Sequence, residues 1–194
     1  YDRLILATPA PTTAALLRSV APEASQALKS VKLASSAVVG MKFDSDEGLP
    51  DNSGVLVAID EPDVQAKAFT FSSKKWPHLG ERGGALVRAS FGRFGDDAIV
   101  RAEEDLIVDT ALDDLARITG FDGRAAGLAE IYVQRWFGGL PRYDAAHLAT
   151  VEKVRAGIAD VHGLAVTGAW AGGVGVPAVI DDARAAAARV LALG

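Results

Sequence analysis

The residues best placed to meet a ligand are glycines. Gly168, Gly172, Gly173 and Gly175 fall together in Gly168-Ala-Trp-Ala-Gly-Gly-Val-Gly-Val-Pro177. They are read as supplying positive φ angles and as leaving no Cβ between the backbone and whatever lies above it. The apolar run Leu164 to Thr167 precedes them. Pro177 follows at the first turn of a helix, where a missing N–H costs nothing. Strand, glycine turn and helix N-terminus together present free N–H groups and a positive dipole end to an anionic or electron-rich ligand. A tight turn, followed by alanines that only permit close packing, has the same appearance. The stretch is not a complete dinucleotide fingerprint, because the third glycine of G-x-G-x-x-G is absent and no ribose-binding acid follows.

The other reactive side chains form no constellation. His78, His147 and His162 share no ligand spacing and the sequence has no cysteine, so no metal site, thiolate nucleophile or iron–sulfur cluster is expected. His162 reads as a last-turn residue complementing a helix C-terminus. Asp113-Asp114 and Glu103-Glu104-Asp105 read as charged helix faces and first-turn acids rather than as a catalytic pair. Lys74, Lys75, Arg88, Arg93, Arg135 and Arg142 include candidates for holding a carboxylate, though each also reads as a solvated surface cation. Trp76 and Trp136 read, taken alone, as core aromatics. A net charge of −5 argues against nonspecific nucleic-acid binding. The apolar runs are too short to span a bilayer and no signal peptide precedes Tyr1, which gives a cytoplasmic reading with peripheral membrane contact left open.

These residues need elements to hold them. Leu4 to Ala7 reads as a buried strand stopped by Pro9 and Pro11. Thr12 or Thr13 is expected to cap a helix carrying Leu16, Leu17 and Val20. Pro22 starts a second helical piece that runs to about Ser30. From Val31 the period changes to two, through Val39, Met41 and Phe43. After that first strand, a second is expected around Val55 to Ile59, a third at Ala66 to Ser72 and a fourth at Ala85 to Gly92, all four joined consecutively as an antiparallel meander. Val108, Ala111, Leu115 and Ile118 form a helical face ended by Gly120, and Leu128 to Phe137 is a further strand with Tyr132 and Trp136 on one face. A helix capped by Asp144 follows, with Leu148, Val151, Val154 and Ile158 inward. The last helix carries a stripe of Val179, Ala183, Ala186 and Val190, with Arg184 and Arg189 off it. The fold class is α/β plus α+β. Pieces of a Rossmann-like domain at residues 1–12 and 145–194 flank an inserted domain at 13–144 with a mostly antiparallel sheet. Tyr1 opens directly into a strand, so the glycine-fingerprint βαβ of such a domain is expected upstream, outside the sequence.

The sequence resembles the C-terminal part of the oxygen-dependent, FAD-containing protoporphyrinogen and coproporphyrinogen oxidases, within the flavin amine oxidase superfamily. The markers are Leu4-Ile-Leu-Ala-Thr-Pro-Ala, Thr70-Phe-Ser-Ser-Lys-Lys-Trp-Pro-His, Leu86-Val-Arg-Ala-Ser-Phe-Gly-Arg-Phe-Gly-Asp, Arg135-Trp-Phe-Gly-Gly-Leu-Pro-Arg-Tyr and the glycine stretch itself. The Ser-Lys-Lys-Trp-Pro-His and Arg135-to-Tyr143 segments are the most specific and point to the bacterial coproporphyrinogen branch. The resemblance implies FAD as cofactor, a porphyrinogen as substrate and O₂ as acceptor, with hydride passing from macrocycle to flavin and no catalytic side chain required. It further implies that Trp136, Val174, Gly175 and Val176 lie against FAD, while the middle of the chain builds the substrate pocket. Members of the family commonly carry an acid or amide shortly after the final proline, where this sequence has Ala178. The part that holds the FAD phosphates is not among these residues, so the cofactor site in the chain is incomplete. The implied reaction is oxidation of coproporphyrinogen III to coproporphyrin III with release of hydrogen peroxide; a protoporphyrinogen IX oxidase, another flavin amine oxidase and a catalytically silent porphyrin-binding module are the alternatives.

Overall fold

The computed structural model describes residues 2–192. In chain order the elements are β1 (Leu4–Leu6), α1 (Ala10–Leu17), α2 (Pro22–Leu28), β2 (Leu33–Phe43), β3 (Gly54–Leu56), β4 (Ala68–Phe71), and the single-turn helices α3 (Ser72–Lys75) and α4 (Pro77–Gly80). Then come β5 (Ala85–Phe91), a 3₁₀ turn (Ala98–Arg101), α5 (Glu104–Thr119), β6 (Leu128–Pro141), α6 (His147–Gly157), β7 (Leu164–Val166), α7 (Ala169–Gly172) and α8 (Val176–Ala192). They fall into two compact units, one of residues 1–33 with 138–194 and one of residues 34–137. Helices α1 and α2 thus share a unit with the chain's last elements, beyond the boundary at residue 12 read from the sequence.

In the first unit β1 and β7 pair in parallel, Leu4 opposite Leu164 and Leu6 opposite Val166. All three residues of β7 are buried. Leu17, Leu28, Val151, Val154, Ile158 and Trp170 complete the apolar core around them. The buried Ser25 hydroxyl donates to Ala14 O at 2.6 Å, tying α2 to α1 without leaving a polar atom orphaned. Neither Thr12 nor Thr13 caps α1. The helix begins at Ala10 with Pro11 in its first turn, and Thr13 Oγ1 donates back to Thr8 O at 2.9 Å instead.

The second unit is built on a sheet of order β3-β4-β5-β2-β6. β3 to β5 form a meander, but β2 lies between β5 and β6, so the simple meander expected from the order of strands is corrected. Val39 stands opposite Ala89 and Phe71 opposite Val87 in antiparallel register. Asp44 N–H donates to Gly127 O at 2.9 Å and Lys42 meets Glu130 at 3.1 Å, so β2 and β6 also run in opposite directions. Ala37, Val39, Met41 and Phe43 alternate inward with Phe69, Phe71, Val87 and Phe91, against Ile107, Ala111, Leu112 and Leu115 of α5. That alternation is what one buried face of an antiparallel sheet requires. Ile59, expected in a strand, lies beyond β3 and is exposed. Among the described residues no helix is long and apolar enough to cross a membrane.

Candidate functional site

The glycine stretch follows β7 in the first unit, as the sequence implies, but its glycines do different things. Gly168 and Gly173 have φ of 139° and 133°. Gly172 and Gly175 do not share a positive φ, which corrects that expectation for both. Gly172 is required by packing, because a Cβ there would lie 2.6 Å from Asp182 Cβ. At Gly175 a Cβ would meet only Pro177 Cδ, at 4.0 Å. Its neighbours Val174 and Val176 are exposed. Residues 174–176 therefore enter α8 with two exposed apolar side chains flanking Gly175, whose carbonyl accepts the Val179 N–H at 3.0 Å, and among the described residues nothing fills the place of the missing Cβ.

Beneath that segment lies a network that the periodicity of the sequence does not disclose. His147, 3% exposed, occupies the buried position on α6 that apolar period assigns to Leu148, which is exposed. The reason is a partner: His147 Nε2 lies 2.8 Å from Trp170 O, a carbonyl that only a nitrogen carrying a proton can satisfy. His147, Val151, Val154 and Ile158 then recur at helical spacing, a stripe that becomes legible once histidine is counted as an inward residue. Asp144 is not the N-cap of α6. Ala146 holds that position, and Asp144 Oδ1 accepts from the Ala146 N–H at 3.2 Å.

Tyr143 packs against His147 with ring centroids 3.9 Å apart and planes tilted by 36°, and its hydroxyl donates to Ala169 O at 2.7 Å. Burial pushes the Tyr143 phenol above its ordinary pKa, an effect the backbone N–H of Gly173 partly offsets. Arg155 Nη2 donates to Ala171 O at 3.3 Å and to Asp182 Oδ1 at 2.7 Å. Asp182 also accepts from the Thr167 hydroxyl at 2.7 Å, and Trp170 Nε1 donates to Thr8 O at 3.1 Å. The inward stripe of α8 is also revised. Ala183 is exposed, while Arg189, read as off the stripe, donates to Ile158 O and Ala159 O at 3.1 Å.

Trp136 lies on β6 in the second unit. It is 56% exposed, and Trp76 is exposed as well, so neither is a core aromatic. Trp170 is the tryptophan that the core takes. The cations divide by what already holds them. Arg135 donates to Val100 O at 3.0 Å and Ala102 O at 2.9 Å, and Arg93 to Val57 O at 3.3 Å, so both act as ties between segments. Lys74 pairs with Asp46 at 2.8 Å, and that bond holds the Asp46 carboxyl below its usual pKa. Arg88 reaches Thr70 Oγ1 at 3.3 Å. His162 lies in the turn beyond α6 rather than in its last turn. No group of acidic and histidine residues able to hold a metal occurs among the described residues.

Comparison with known proteins places this arrangement. The coproporphyrinogen III oxidase of Mycobacterium tuberculosis (strain ATCC 25618 / H37Rv) is 41% identical over 191 residues, 98% of this chain and 40% of that protein. The coproporphyrinogen III oxidase of Bacillus subtilis (strain 168) is 31% identical over 192 residues, with the same 98% and 40% coverage. A crystal structure of an Exiguobacterium sp. 255-15 protein assigned as a protoporphyrinogen oxidase superposes with a TM-score of 0.84 at 27% identity, covering 98% of this chain and 41% of that one. The chain spans about two fifths of the length of the curated relatives it matches. The profile of the family described as flavin containing amine oxidoreductase matches residues 1–191, and with both units included in that match the chain belongs to this family.

Proposed function

We propose that the chain is the C-terminal portion of an oxygen-dependent FAD oxidase that converts coproporphyrinogen III to coproporphyrin III in haem biosynthesis, releasing hydrogen peroxide. The observation that carries the reading is identity of 41% over 98% of the chain to a coproporphyrinogen III oxidase, together with an open glycine segment suited to a flat, electron-rich ligand. Protoporphyrinogen IX is the second substrate to consider, because the Exiguobacterium structure is assigned to that activity.

The residues at 174–176 fit a flavin. Gly175 leaves its backbone open to close approach, and the exposed side chains of Val174 and Val176 offer apolar contact on either side of it. Trp136 is a candidate for flavin contact on a separate ground, its place within the Arg135-to-Tyr143 motif and its exposed ring. Residues 1–12 and 145–194 are read as parts of the cofactor domain, joined by α1 and α2, which share their unit, and the remainder of 13–144 as an inserted substrate domain. When bound, FAD supplies the hydride acceptor for the macrocycle and returns each electron pair to O₂ as hydrogen peroxide. The side chains of this chain bind and orient; none is needed as an acid, base or nucleophile.

The test is turnover by the longer protein that carries this chain, offered coproporphyrinogen III or protoporphyrinogen IX. Porphyrin fluorescence and peroxide should rise together, one peroxide for each electron pair removed, and coproporphyrinogen should give the higher kcat/KM. Preference for protoporphyrinogen would reassign the substrate, and no turnover of either would overturn the reading.

A further inference from the structure

Three consecutive backbone carbonyls of the short helix α7 are each held by a different side chain from one stretch of sequence. Tyr143 Oη donates to Ala169 O at 2.7 Å, His147 Nε2 meets Trp170 O at 2.8 Å and Arg155 Nη2 donates to Ala171 O at 3.3 Å. A four-residue helix has at most one internal hydrogen bond of its own, so its shape is set from outside. The positions 143, 147 and 155 explain how. Residues 147 and 155 lie about two turns apart on α6 and both reach α7, and Tyr143 packs against His147 from the segment just before the helix.

The far end of α7 is fixed as well. Asp182 of α8 sits where a Cβ of Gly172 would fall, and it is oriented by Arg155 on one oxygen and Thr167 on the other. The Tyr143 hydroxyl thus holds the first residue of α7, at Ala169 O. All these groups belong to the same compact unit. They stop at Gly173. From there Val174 and Val176 are exposed at the entry to α8, with Gly175 open between them.

We propose that Tyr143, His147 and Arg155 are positioning residues that clamp α7 so that residues 174–176 hold one shape in advance of flavin binding. The proposal rests on the reading of 174–176 as a flavin contact. Its physical basis is preorganisation: a segment ordered before the ligand arrives loses less entropy on binding. None of the three touches the flavin in this account; they act through α7.

The experiment uses the longer protein that carries the chain, with Tyr143→Phe, Arg155→Ala and Arg155→Lys. Tyr143→Phe removes one oxygen and keeps the ring contact with His147, and Arg155→Lys keeps a cation beside Asp182, so both are expected to melt close to the parent; Arg155→Ala leaves the nearly buried Asp182 carboxylate without its cation and is expected to melt lower while still folding. Backbone hydrogen exchange of the flavin-free protein is read at residues 169–176, and FAD affinity is measured by titration. Tyr143→Phe and Arg155→Ala should each speed exchange in 169–173 by about tenfold, with α5 and β7 unchanged. The FAD dissociation constant should rise by about tenfold in parallel, and Arg155→Lys should recover part of both. Unchanged exchange in the turn would overturn the clamp, and faster exchange with unchanged FAD affinity would overturn its role in binding. Failure of the unsubstituted protein to bind FAD would instead overturn the flavin reading of 174–176 and the clamp's purpose with it, while the exchange result would still say whether the three side chains hold α7.

Discussion

Gly175 has neither a positive φ nor, among the described residues, a neighbour that a Cβ would strike. A side chain there should cost the unliganded fold little, unlike one at Gly172, where Asp182 is in the way. If the open backbone at 174–176 is where the flavin approaches, Gly175→Val in the longer protein lowers FAD affinity by about tenfold or more and leaves the flavin-free melting temperature in place. The stabilisation conferred by saturating FAD should shrink accordingly. Equal loss of stability with and without FAD would make Gly175 a turn residue only. At this scale the sequence locates the stretch but not the roles within it. Spacing marks glycines, yet which one faces a side chain, which one needs its φ and which one is open depends on α8, whose inward face includes Asp182. His147 escapes a reading by period because a histidine on an apolar stripe is recognisable only once its partner, a carbonyl in another element, is known.

Among the elements, α5 follows its sequence most closely. Val108, Ala111 and Leu115 are buried as their spacing implies, and Gly120 ends the helix in the left-handed region at φ 77°. Apolar period and a stop residue are local signals, so they can be read locally. The position of β2 between β5 and β6 is not local, since it pairs residues roughly fifty and ninety apart in the chain, and period alone cannot rank such pairings. Asp114 shows the same limit within α5. Read with Asp113 as part of a charged face, it is instead buried, and it accepts the N–H groups of Gln65 at 2.9 Å and Ala66 at 2.7 Å, just ahead of β4. Asp113 remains exposed and pairs with Arg124 at 2.6 Å. Burial pushes the Asp114 carboxyl above its usual pKa, and the two N–H groups only partly offset this. Between the unfolded value and the raised folded value the folded protein holds more protons. The contribution of this group to stability is therefore fully present below the unfolded value and is lost as pH rises through the folded one. Asp114→Asn keeps an acceptor for both N–H groups and cannot ionise. Melting curves should show the Asp114→Asn variant gaining on the parent as pH rises from below the carboxylate range to neutrality. A difference that is flat or falls with pH would show that the carboxylate is better satisfied than its burial implies. Asp114→Ala, which orphans the buried Ala66 N–H, should cost about 1–3 kcal/mol below the carboxylate range and less as pH rises to neutrality.

For the molecule as a whole, the question is how much of a cofactor site the two units contain. A dinucleotide is held chiefly at its pyrophosphate, by N–H groups at the first βα turn of a Rossmann-like sheet. Within these residues β1 leads through Thr8-Pro9 into α1, whose first turn contains Pro11 and no glycine. The glycine turn after β7 offers only the segment 174–176 as open backbone. Neither turn reproduces a G-x-G-x-x-G cradle, and the chain spans about two fifths of its curated relatives. Flavin contacts at Val174, Gly175 and Val176, the open backbone of the first unit, would be apolar and few, too few to outweigh the loss of translational freedom that any ligand incurs. The 194-residue chain by itself is therefore expected to bind FAD weakly and to show no oxidase activity, whereas under the proposed function the same residues would add to a site completed in the longer protein. The check is to saturate the purified chain with FAD, pass it through a desalting column and record the visible spectrum beside a melting curve with and without FAD. The flavin should be lost on the column and the melting temperature should not move. Retention of one FAD per chain would sink this account, and would mean that the contacts at 174–176, with the clamp beneath them, carry the cofactor without a phosphate cradle.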